Sequence, residues 1–432
     1  MTRNGEGQRI VINTFGSFGD IHPYIAIALE LKARGHHPVV ATGALYRDKM
    51  VAAGLELHPI RPDFAPPEEN REMIAKAMHP LTGPTYILKE LVLPYLRESY
   101  EDLSEAVRGA DLLLTHPLSF MGPSVAQTSG VRWISSVLAP ASFLSVYDPP
   151  VAPGMEWLTK VFALGTGATR LIFGLAKNLT RRMVKPLDEL RAELGLPRGG
   201  NPIFEGQHSP RLVLALFSSL IGAPQKDWPP HVRVTGFPFY DRWDKPGEEN
   251  GMPPRLLEFL DAGTPPIVFT LGSSAVWVAE DFYRESIRAA RALGRRAVLL
   301  IGDERNRPPD DGDDVAAFNY APYSELFPRA AAVVHQGGIG TTAQGLRAGK
   351  PTLVVAYAHD QPDNGARVTR LGTARTLPRR AYNAARATAE LSALLNNPSY
   401  AATADEVGRR IRSENGARAA ADAIEEVLSQ DS

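Results

Sequence analysis

The stretch that decides the fold is "VVHQGGIGTTAQGLRAGKP", from Val333 to Pro351, followed directly by "TLVVAYAHDQ", from Thr352 to Gln361. Each part opens with a short run of apolar, mostly β-branched residues, which is typical of a strand buried in a parallel sheet. A glycine-rich turn and a helical segment that ends at Gly349 follow the first strand. This order of strand, turn, helix and strand predicts a parallel sheet with right-handed crossovers.

Two further stretches repeat the same order. "RIVINTFGSFGDIHP" runs from Arg9 to Pro23, and "PPIVFTLGSSA" runs from Pro265 to Ala275. A proline-rich run begins at Pro224 and suits a stiff connection between the two series. We therefore predict an α/β protein with two domains of similar size whose parallel sheets face each other across a cleft. The predicted parts are residues 1–225, a linker at 226–247, residues 248–412, and a helix in 413–432 that packs back on the first domain.

Composition excludes several classes of protein. The 432 residues carry 47 Lys and Arg against 48 Asp and Glu, which argues against a general nucleic-acid binder. There is no cysteine, so disulfides, thiolate metal sites and cysteine nucleophiles are excluded. The apolar stretch from Trp157 to Leu179 is interrupted by Lys160, Arg170 and Lys177, and predicts a packed or interfacial helix rather than a membrane span. We expect a cytoplasmic protein, with peripheral contact at the inner face of the membrane left open.

The glycine-rich turn of the quoted stretch has the chemistry of an anion site. Gly337, Gly338 and Gly340 let the backbone approach a ligand closely, and a helix that begins near Thr341 directs its free N–H groups at the turn. His335, at the end of the strand, can add a hydrogen bond or a positive charge. The pattern lacks the lysine of a P-loop. A turn whose glycines serve packing alone is the alternative.

The next strand ends in "AHDQPDN", from Ala358 to Asn364. Asp360 beside Gln361 suits the recognition of hydroxyl groups, because a carboxylate accepts hydrogen bonds while an amide both donates and accepts. Two other interpretations remain open. His359, Asp360 and Asp363 have the ligand types of a metal site, and either aspartate could simply cap the following helix.

Two more strand ends carry candidate ligand contacts. Ser273 lies in a glycine–serine turn whose backbone amides suit a second phosphate contact. Tyr320 is followed by Ala321 and a proline, so its ring is suited to stacking on a planar group. A surface aromatic beside a proline turn is the alternative.

Asp20 follows the first strand of the sequence, at the start of the predicted first helix. It is either a general base or a helix-capping carboxylate. His116 ends the strand "DLLLTH" of the same predicted sheet. Because the carboxyl ends of parallel strands meet at one edge, Asp20 and His116 are expected to form a base and its orienting partner. A histidine without a functional partner is the alternative.

Four of these motifs together resemble nucleotide-sugar-dependent glycosyltransferases of the GT-B fold. They are "GSFGDIHP" at Gly16–Pro23, "YAP" at Tyr320–Pro322, "HQGGIG" at His335–Gly340 and "HDQ" at His359–Gln361. Within the UDP-glycosyltransferase-like superfamily, the strongest resemblance is to the rhamnosyltransferases of bacterial rhamnolipid synthesis. The resemblance implies two Rossmann-like domains that face each other across a cleft.

The resemblance also implies an inverting transfer without a metal ion and without a resident cofactor, since the dTDP- or UDP-sugar donor is a co-substrate. The acceptor would be a hydroxyl group of a hydrophobic small molecule. Asp20 would be the catalytic base, with His116 as its partner. The donor would be bound by Ser273, His335, Gly338, Gly340 and Thr341 at the diphosphate, by Tyr320 and Ala321 at the base, and by Asp360 and Gln361 at the sugar.

One position departs from the family pattern. Plant-type members carry a glutamate eight residues after the motif histidine, where it reads the ribose. Here that position is Ala343, with Gln344 next to it. A dTDP-sugar lacks the 2′-hydroxyl that such a glutamate helps to read, so this departure favours a dTDP-sugar such as dTDP-rhamnose.

Apolar and aromatic side chains at about 60–100 and 140–180 predict a hydrophobic acceptor, such as a lipid, a phenolic ring system or a sterol-like ring. Many of them could equally be plain core. They are Phe64, Met73, Met78, Tyr86, Leu88, Phe143, Tyr147, Trp157, Phe162 and Phe173.

Other functions stay open at this stage. An NDP-sugar 2-epimerase shares the GT-B architecture, and a non-catalytic sugar-nucleotide-binding subunit would show the same donor motifs. A dinucleotide oxidoreductase is disfavoured, because no clean G-x-G-x-x-G follows the first strand with an acidic residue at the right distance.

Overall fold

The computed structural model describes residues 7–242, 251–309 and 312–430. The first domain contains a seven-stranded sheet in the order β3-β2-β1-β4-β5-β6-β7, and every neighbouring pair is parallel. Its strands are β1 (Arg9–Asn13), β2 (His37–Thr42), β3 (Glu56–Pro59), β4 (Leu112–Thr115), β5 (Arg132–Val137), β6 (Val213–Ala215) and β7 (Val232–Val234).

Nine α-helices accompany this sheet in the described part of the first domain. They are α1 (Phe18–Ala33), α2 (Arg47–Ala52), α3 (Arg71–Ala77), α4 (Gly83–Tyr86), α5 (Leu96–Ala106), α6 (Gly122–Ser129), α7 (Leu158–Phe162), α8 (Thr166–Met183) and α9 (Lys185–Glu193). None of the helices in the described ranges is both long and apolar enough to cross a membrane.

The second domain contains a six-stranded parallel sheet in the order β10-β9-β8-β11-β12-β13. Its strands are β8 (Ile267–Thr270), β9 (Ala297–Leu300), β10 (Val315–Phe318), β11 (Ala332–His335), β12 (Thr352–Ala356) and β13 (Ala374–Pro378). The helices that follow the first domain are α10 (Pro254–Asp261), α11 (Gly272–Ala275), α12 (Phe282–Ala292), α13 (Tyr323–Leu326), α14 (Ile339–Ala348), α15 (Gln361–Arg370), α16 (Ala384–Asn396), α17 (Pro398–Ser413) and α18 (Gly416–Ser429).

Both sheets reverse their strand order at one point, between β1 and β4 in the first and between β8 and β11 in the second. At such a point the loops leave the sheet in opposite directions, which opens a crevice beyond the carboxyl ends of the strands. The turns at the ends of β1, β4, β11 and β12 carry the motifs described above. The predicted α/β architecture with two parallel sheets is therefore confirmed.

The boundary between the domains differs in detail from the prediction. Strand β7 lies within the predicted linker of 226–247, yet it pairs with β6 in the first sheet. Residues 243–247 of that linker, and the predicted start of the second domain at 248, lie outside the described residues. Helix α18 contributes Ala420, Ile424 and Leu428 to a buried cluster with α1 of the first domain.

Apolar side chains from both domains share one buried cluster. Phe143 and Phe217 of the first domain pack in it with Leu346 and Ile411, which follow the crossover to the second domain. This burial removes apolar surface from water at the contact between the domains and stabilises their association.

A buried guanidinium joins the domains beside this cluster. Arg367 of α15 donates from Nε to Asp363 at 2.6 Å and from Nη1 to the carbonyl of Ile221 at 3.0 Å, and it also pairs with Asp148. The second oxygen of Asp363 accepts a hydrogen bond from the amide of Val151 at 3.1 Å. The side chains of Arg367 and Asp363 are only 2% and 3% exposed, so each charge depends on the other for compensation.

The first prediction concerns this ion pair. Arg367→Ala leaves the buried carboxylate of Asp363 without its counter-charge, and we expect it to cost about 3–5 kcal/mol of unfolding free energy. The matched control is Arg370→Ala on the same helix, where the side chain is 66% exposed and 3.4 Å from Asp148. Thermal and urea unfolding of both variants measure the difference, and equal losses would contradict the role given to Arg367.

Candidate active site

Asp20 lies at the start of α1 and faces the cleft with a third of its side chain exposed. Its Oδ2 accepts hydrogen bonds from the amide of Ser17 at 2.8 Å and from the Ser17 hydroxyl at 3.1 Å. Asp20 therefore caps the helix while remaining open to the cleft, so the two predicted roles are compatible. Gly16 has φ 129°, and a Cβ there would lie 2.3 Å from Asp20 Oδ2, so this turn requires glycine.

His116 follows β4 and lies beside Asp20, with its Nε2 3.4 Å from Asp20 Oδ1. The Nδ1 atom accepts a hydrogen bond from the amide of Leu118 at 3.0 Å, which leaves Nε2 to carry the proton and face the carboxylate. The structure thus brings the two predicted catalytic residues together. The histidine is buried, so it can orient Asp20 while it is shielded from solvent.

The surroundings of Asp20 favour its ionised form. Burial alone would raise the pKa, but the contact with His116 and the hydrogen bonds from Ser17 outweigh it, so the pKa of Asp20 is lowered. The carboxylate is therefore charged throughout the neutral range and available to accept a proton.

The turn between β11 and α14 forms the opposite wall. Gly338 caps α14, and the first amide to bond within the helix is that of Thr342, which donates to the Gly338 carbonyl. The amides of Ile339, Gly340 and Thr341 thus have no acceptor within the helix, which is the arrangement that suits an anion. Gly340 is exposed at this point, as a phosphate contact requires.

His335 lies behind this turn rather than in the open cleft. Its side chain is fully buried, Nδ1 accepts from the amide of Gly337 at 3.0 Å, and Nε2 is 3.9 Å from where a Cβ of Gly345 would lie. Burial lowers the pKa of His335 to about 3. His335 is therefore uncharged at neutral pH and does not supply the positive charge that its place in the motif suggested. Its imidazole packs beneath the turn and accepts a hydrogen bond from it.

Gln336 was not among the predicted site residues, although it stands inside the "HQGG" motif. It packs between the β11–α14 turn and the β8–α11 turn, with Nε2 3.3 Å from the hydroxyl of Thr341. At Gly272 (φ 64°) a Cβ would lie 2.3 Å from the same Nε2, so the second turn also requires glycine. Gln336 thereby holds the turn of Ser273, which is half-buried, next to the anion site.

The "HDQ" segment joins β12 to α15. His359 has φ 57°, a left-handed conformation that costs energy in a non-glycine residue and often marks a functional site. The side-chain oxygen of Gln361 accepts hydrogen bonds from the backbone amides of Tyr357 and Ala358, at 2.9 and 3.0 Å. Only the NH₂ group of Gln361 is left for a sugar hydroxyl, which narrows the role predicted for it.

Asn364 was not among the predicted site residues. It links the β11–α14 turn to the "HDQ" segment. It is fully buried, and its Nδ2 donates to the carbonyl of Gly337 at 2.9 Å and to Asp360 Oδ2 at 2.7 Å. Its position four residues after Asp360 on a helix is the sequence signal that could have indicated the contact. The bond fixes the Asp360 carboxyl against the glycine turn.

Asp363 points away from this site, because it pairs with Arg367 at the contact between the domains. The alternative metal site of His359, Asp360 and Asp363 is therefore not assembled. In the part of the protein that the structure describes, no three His, Asp or Glu side chains gather around a common point that could hold a metal ion.

The two halves of the site face each other closely. His359 lies against the first domain, with Cε1 3.6 Å from where a Cβ of Gly83 would be. Burial raises the pKa of Asp360 to about 7, and the charge of Asp20 from the opposite domain contributes to this rise. The cleft therefore contains the ionised carboxylate of Asp20 on one side and, on the other, the Asp360 carboxyl, whose pKa is about 7.

Tyr320 and Ala321 lie just beyond β10, at the edge of the second sheet. The Tyr320 side chain is half-buried. The methyl group of Ala321 is fully buried with Leu326 and Phe327, so only the Ala321 backbone is available to a ligand.

The first domain contains a small cavity of about 40 Å³ between α5 and the carboxyl ends of β1 and β4, and Asp20 is not part of its lining. None of the ten apolar residues predicted to line the acceptor site belongs to its lining. Several of the ten are core instead: Phe143 stacks on Trp228 at 4.1 Å, and Met78 packs in the buried cluster of the second domain. The cavity is lined mainly by residues that follow β1 and β4 and by α5, among them Thr14, Phe15, Leu96, Leu118, Phe120 and Met121.

The second prediction concerns Asp360. An acid whose pKa rises from 3.8 to about 7 on folding holds its proton more tightly in the folded state, so the free energy of unfolding falls as pH rises between these values. Asp360→Asn removes this titration. We expect the variant to gain in melting temperature relative to the unmodified protein at pH 8, with no such gain at pH 4. An exposed control, Asp313→Asn, should show no such dependence, and an Asp360→Asn difference that is constant with pH would contradict the prediction.

Comparisons with known proteins identify the family of this chain. Residues 10–88 match the glycosyltransferase family 28 N-terminal domain, and residues 299–427 match the erythromycin biosynthesis protein CIII-like, C-terminal domain. The chain is 33% identical over 97% of both chains to O-mycaminosyltylonolide 6-deoxyallosyltransferase of Streptomyces fradiae. It is 31% identical to glycosyltransferase GtfE of Amycolatopsis orientalis, over 84% of each chain.

A solved structure shows the same fold. Glycosyltransferase SsfS6 of Streptomyces sp. SF2575, complexed with thymidine diphosphate, matches with a TM-score of 0.64 at 20% identity, over 97% of this chain and 99% of that one. The sequence identities, the two family matches and the facing sheets lead to one assignment. The chain is an enzyme that belongs to the nucleotide-sugar-dependent glycosyltransferases of the GT-B fold, the family that its four motifs resemble.

Proposed function

We propose that the protein transfers a sugar from a dTDP-sugar to a hydroxyl group of a hydrophobic small molecule, with inversion at the anomeric carbon and without a metal ion. The observation that carries this proposal is the position of Asp20. Its ionised carboxylate, oriented by His116, stands across the cleft from the "HDQ" segment and acts electrostatically on Asp360. A base on one wall and a sugar-reading carboxyl on the other suit a direct displacement between them.

In the proposed reaction Asp20 removes the proton of the acceptor hydroxyl as its oxygen attacks the anomeric carbon. His116 is a positioning residue, since its Nε2–H faces Asp20 Oδ1 and its Nδ1 is fixed by Leu118. The bond to the diphosphate breaks on the opposite face of the sugar. Holding both substrates in one cleft supplies the orientation that the displacement needs.

The leaving diphosphate takes up negative charge, which the free amides of Ile339, Gly340 and Thr341 would stabilise at the positive end of α14. Because His335 is buried and neutral in this structure, we assign the stabilisation mainly to these backbone groups and to the hydroxyls of Thr341 and Ser273. A rate that is unchanged by EDTA would agree with this assignment.

The choice of a thymidine nucleotide rests on two observations. Ala343 is buried against Leu346 in an apolar cluster, so this position offers no polar group to a ribose hydroxyl. The similar structure of SsfS6 is a complex with thymidine diphosphate. A rhamnosyl donor remains the prediction from the motif resemblance, and the deoxyallosyl transferase relative is compatible with a deoxysugar.

We propose that the acceptor lies at the open face of Asp20. The small cavity between α5 and the ends of β1 and β4, about 40 Å³ in volume, would take at most one small apolar group of it. Apolar side chains such as Phe15, Leu118 and Met121 form most of the cavity wall, with Thr14 and Ser119 as polar points. The hydroxyl of Thr14 donates to the Asp20 carbonyl at 2.7 Å, which connects the cavity wall to the start of α1. Such a lining favours an apolar group on an acceptor that presents one hydroxyl to Asp20.

The third prediction tests the base. Asp20→Asn keeps the size of the residue and cannot accept the proton, so we expect turnover to fall by about 10²–10⁴-fold. Donor binding should be unchanged, since the donor contacts lie in the second domain. Turnover is measured with O-mycaminosyltylonolide and a panel of lipid, phenolic and sterol hydroxyl acceptors, and donor binding by calorimetry. Full activity of the variant would contradict the role of Asp20.

The same assay tests His116. His116→Asn removes the group that orients Asp20, so we expect a smaller loss of kcat with an unchanged KM for the donor. Product analysis without any acceptor serves as a control, because formation of an isomerised nucleotide sugar would indicate an epimerase instead.

The fourth prediction concerns the donor nucleotide. A ligand that binds only the folded protein raises the melting temperature by mass action. We expect dTDP and dTDP-sugars to raise it more than UDP-sugars or GDP-sugars at equal concentration. Ala343→Glu, which introduces the glutamate of plant-type members, is the companion variant. A larger shift of the melting temperature with UDP-glucose than with dTDP-sugars, for the unmodified protein, would contradict the thymidine assignment.

A further inference from the structure

Helix α8 carries a stripe of exposed leucines. Leu171, Leu175 and Leu179 recur every four residues along one side of the helix, and Leu164 stands just before it. Their side chains are between 55% and 79% exposed, and Trp157, which directly precedes α7, is 60% exposed. An exposed apolar strip of this kind on a folded protein usually marks a site that binds a membrane or another molecule.

The stripe is not needed for the packing of α8. The helix contacts the rest of the domain through its other side, where Thr169 is buried and Phe173 meets Phe162 at a ring distance of 5.8 Å. Its C-terminal half is held by Asn201, which donates to the carbonyl of Lys177 and to the hydroxyl of Thr180. The leucines therefore project from a helix that is already fixed.

The charged residues within α7 and α8 have one sign. From Trp157 to Leu187 the sequence contains six Lys or Arg and no Asp or Glu, although the whole chain has a net charge of −1. Three of these cations are exposed with no acidic partner in the described ranges: Lys160, Arg170 and Arg182. Others are paired with acidic residues outside the segment, as Lys177 is with Glu205.

The segment before α8 reaches the contact between the domains. Val151 donates its amide to Asp363 of the second domain, and a Cβ at Gly154 would lie 2.6 Å from Leu81, which is itself exposed. Trp157 follows directly. The exposed Trp157 and the leucines of α8 thus follow a segment that is anchored at the contact between the domains.

We propose that this face, composed of Trp157, Leu164, Leu171, Leu175 and Leu179, docks on an anionic lipid surface. The leucines enter the boundary between headgroups and acyl chains, while Lys160, Arg170 and Arg182 contact anionic headgroups. A helix with exposed leucines and only positive charge, preceded in the chain by an exposed tryptophan, has the features of an interfacial membrane helix. Docking would hold this side of the first domain near the bilayer, and it does not depend on the donor or acceptor proposed above.

Charge complementarity is the reason for choosing lipid. A second copy of the protein would bring the same cations against each other across a symmetric contact, which like charges disfavour. An anionic bilayer offers both a hydrocarbon boundary for the leucines and headgroups for the cations.

The test uses the full-length protein and two vesicle types, phosphatidylcholine alone and phosphatidylcholine with phosphatidylglycerol, in a co-sedimentation assay. We expect binding to the anionic vesicles, weakened by added salt. The triple variant Leu171→Asn, Leu175→Asn, Leu179→Asn should lower the partition coefficient by about tenfold or more. The double variant Arg170→Gln, Arg182→Gln should remove the preference for anionic vesicles.

The matched control changes three exposed apolar residues outside the face: Leu45→Asn, Val51→Asn and Leu257→Asn. Circular dichroism melts establish that each variant is folded. The proposal is overturned if the unmodified protein binds neither vesicle type, or if the leucine variant binds as well as the control. It is equally overturned if light scattering shows that the leucine variant converts a dimer into a monomer, because the stripe would then be an interface between copies.

Discussion

The buried guanidinium of Arg367 is the interaction on which the geometry of the cleft depends. It compensates Asp363 on its own helix and Asp148 on the opposite domain, and it also bonds the Ile221 carbonyl. Charges in such an interior are stable only when each finds its partner, so the two domains are held in the arrangement that completes the set. The electrostatic contact between Asp20 and Asp360 across the cleft follows from that arrangement.

The chemistry of the site depends on two aspartates, Asp20 and Asp360, that lie in different surroundings. Both lose hydration, which by itself raises the pKa of a carboxyl group. Asp20 is compensated by His116 and by two donors on Ser17, and its pKa is lowered. Asp360 has a hydrogen bond from Asn364 and also feels the charge of Asp20, and its pKa rises to about 7. One carboxylate is thereby kept ready to accept a proton, while the other can both donate to and accept from a hydroxyl group.

Some of this site could be predicted from the residues alone. The pairing of Asp20 with His116 could be expected because both follow strands of one parallel sheet, whose carboxyl ends meet at a single edge. The direction in which a side chain at a strand end points could not be predicted in this way. His335 turns under α14 instead of into the cleft, Gln361 uses its oxygen within its own turn, and Asp363 points to the contact between the domains. Phe143, predicted to line the acceptor site, lies in the core instead, since an aromatic residue satisfies a core and a pocket equally well.

By itself the sequence determined the alternation of strands and helices, the glycine turns at strand ends and the family, because these depend on local periodicity and on motifs of a few consecutive residues. Only the tertiary structure decided which atoms face the cleft, which carboxyl groups are ionised, and that β7 belongs to the first sheet. It also decided that the leucines of α8 are exposed on the surface of the protein rather than packed in its core. The physical reason is that burial and charge compensation arise from residues far apart in the sequence, such as Asp148 and Arg367, whose proximity no local pattern encodes.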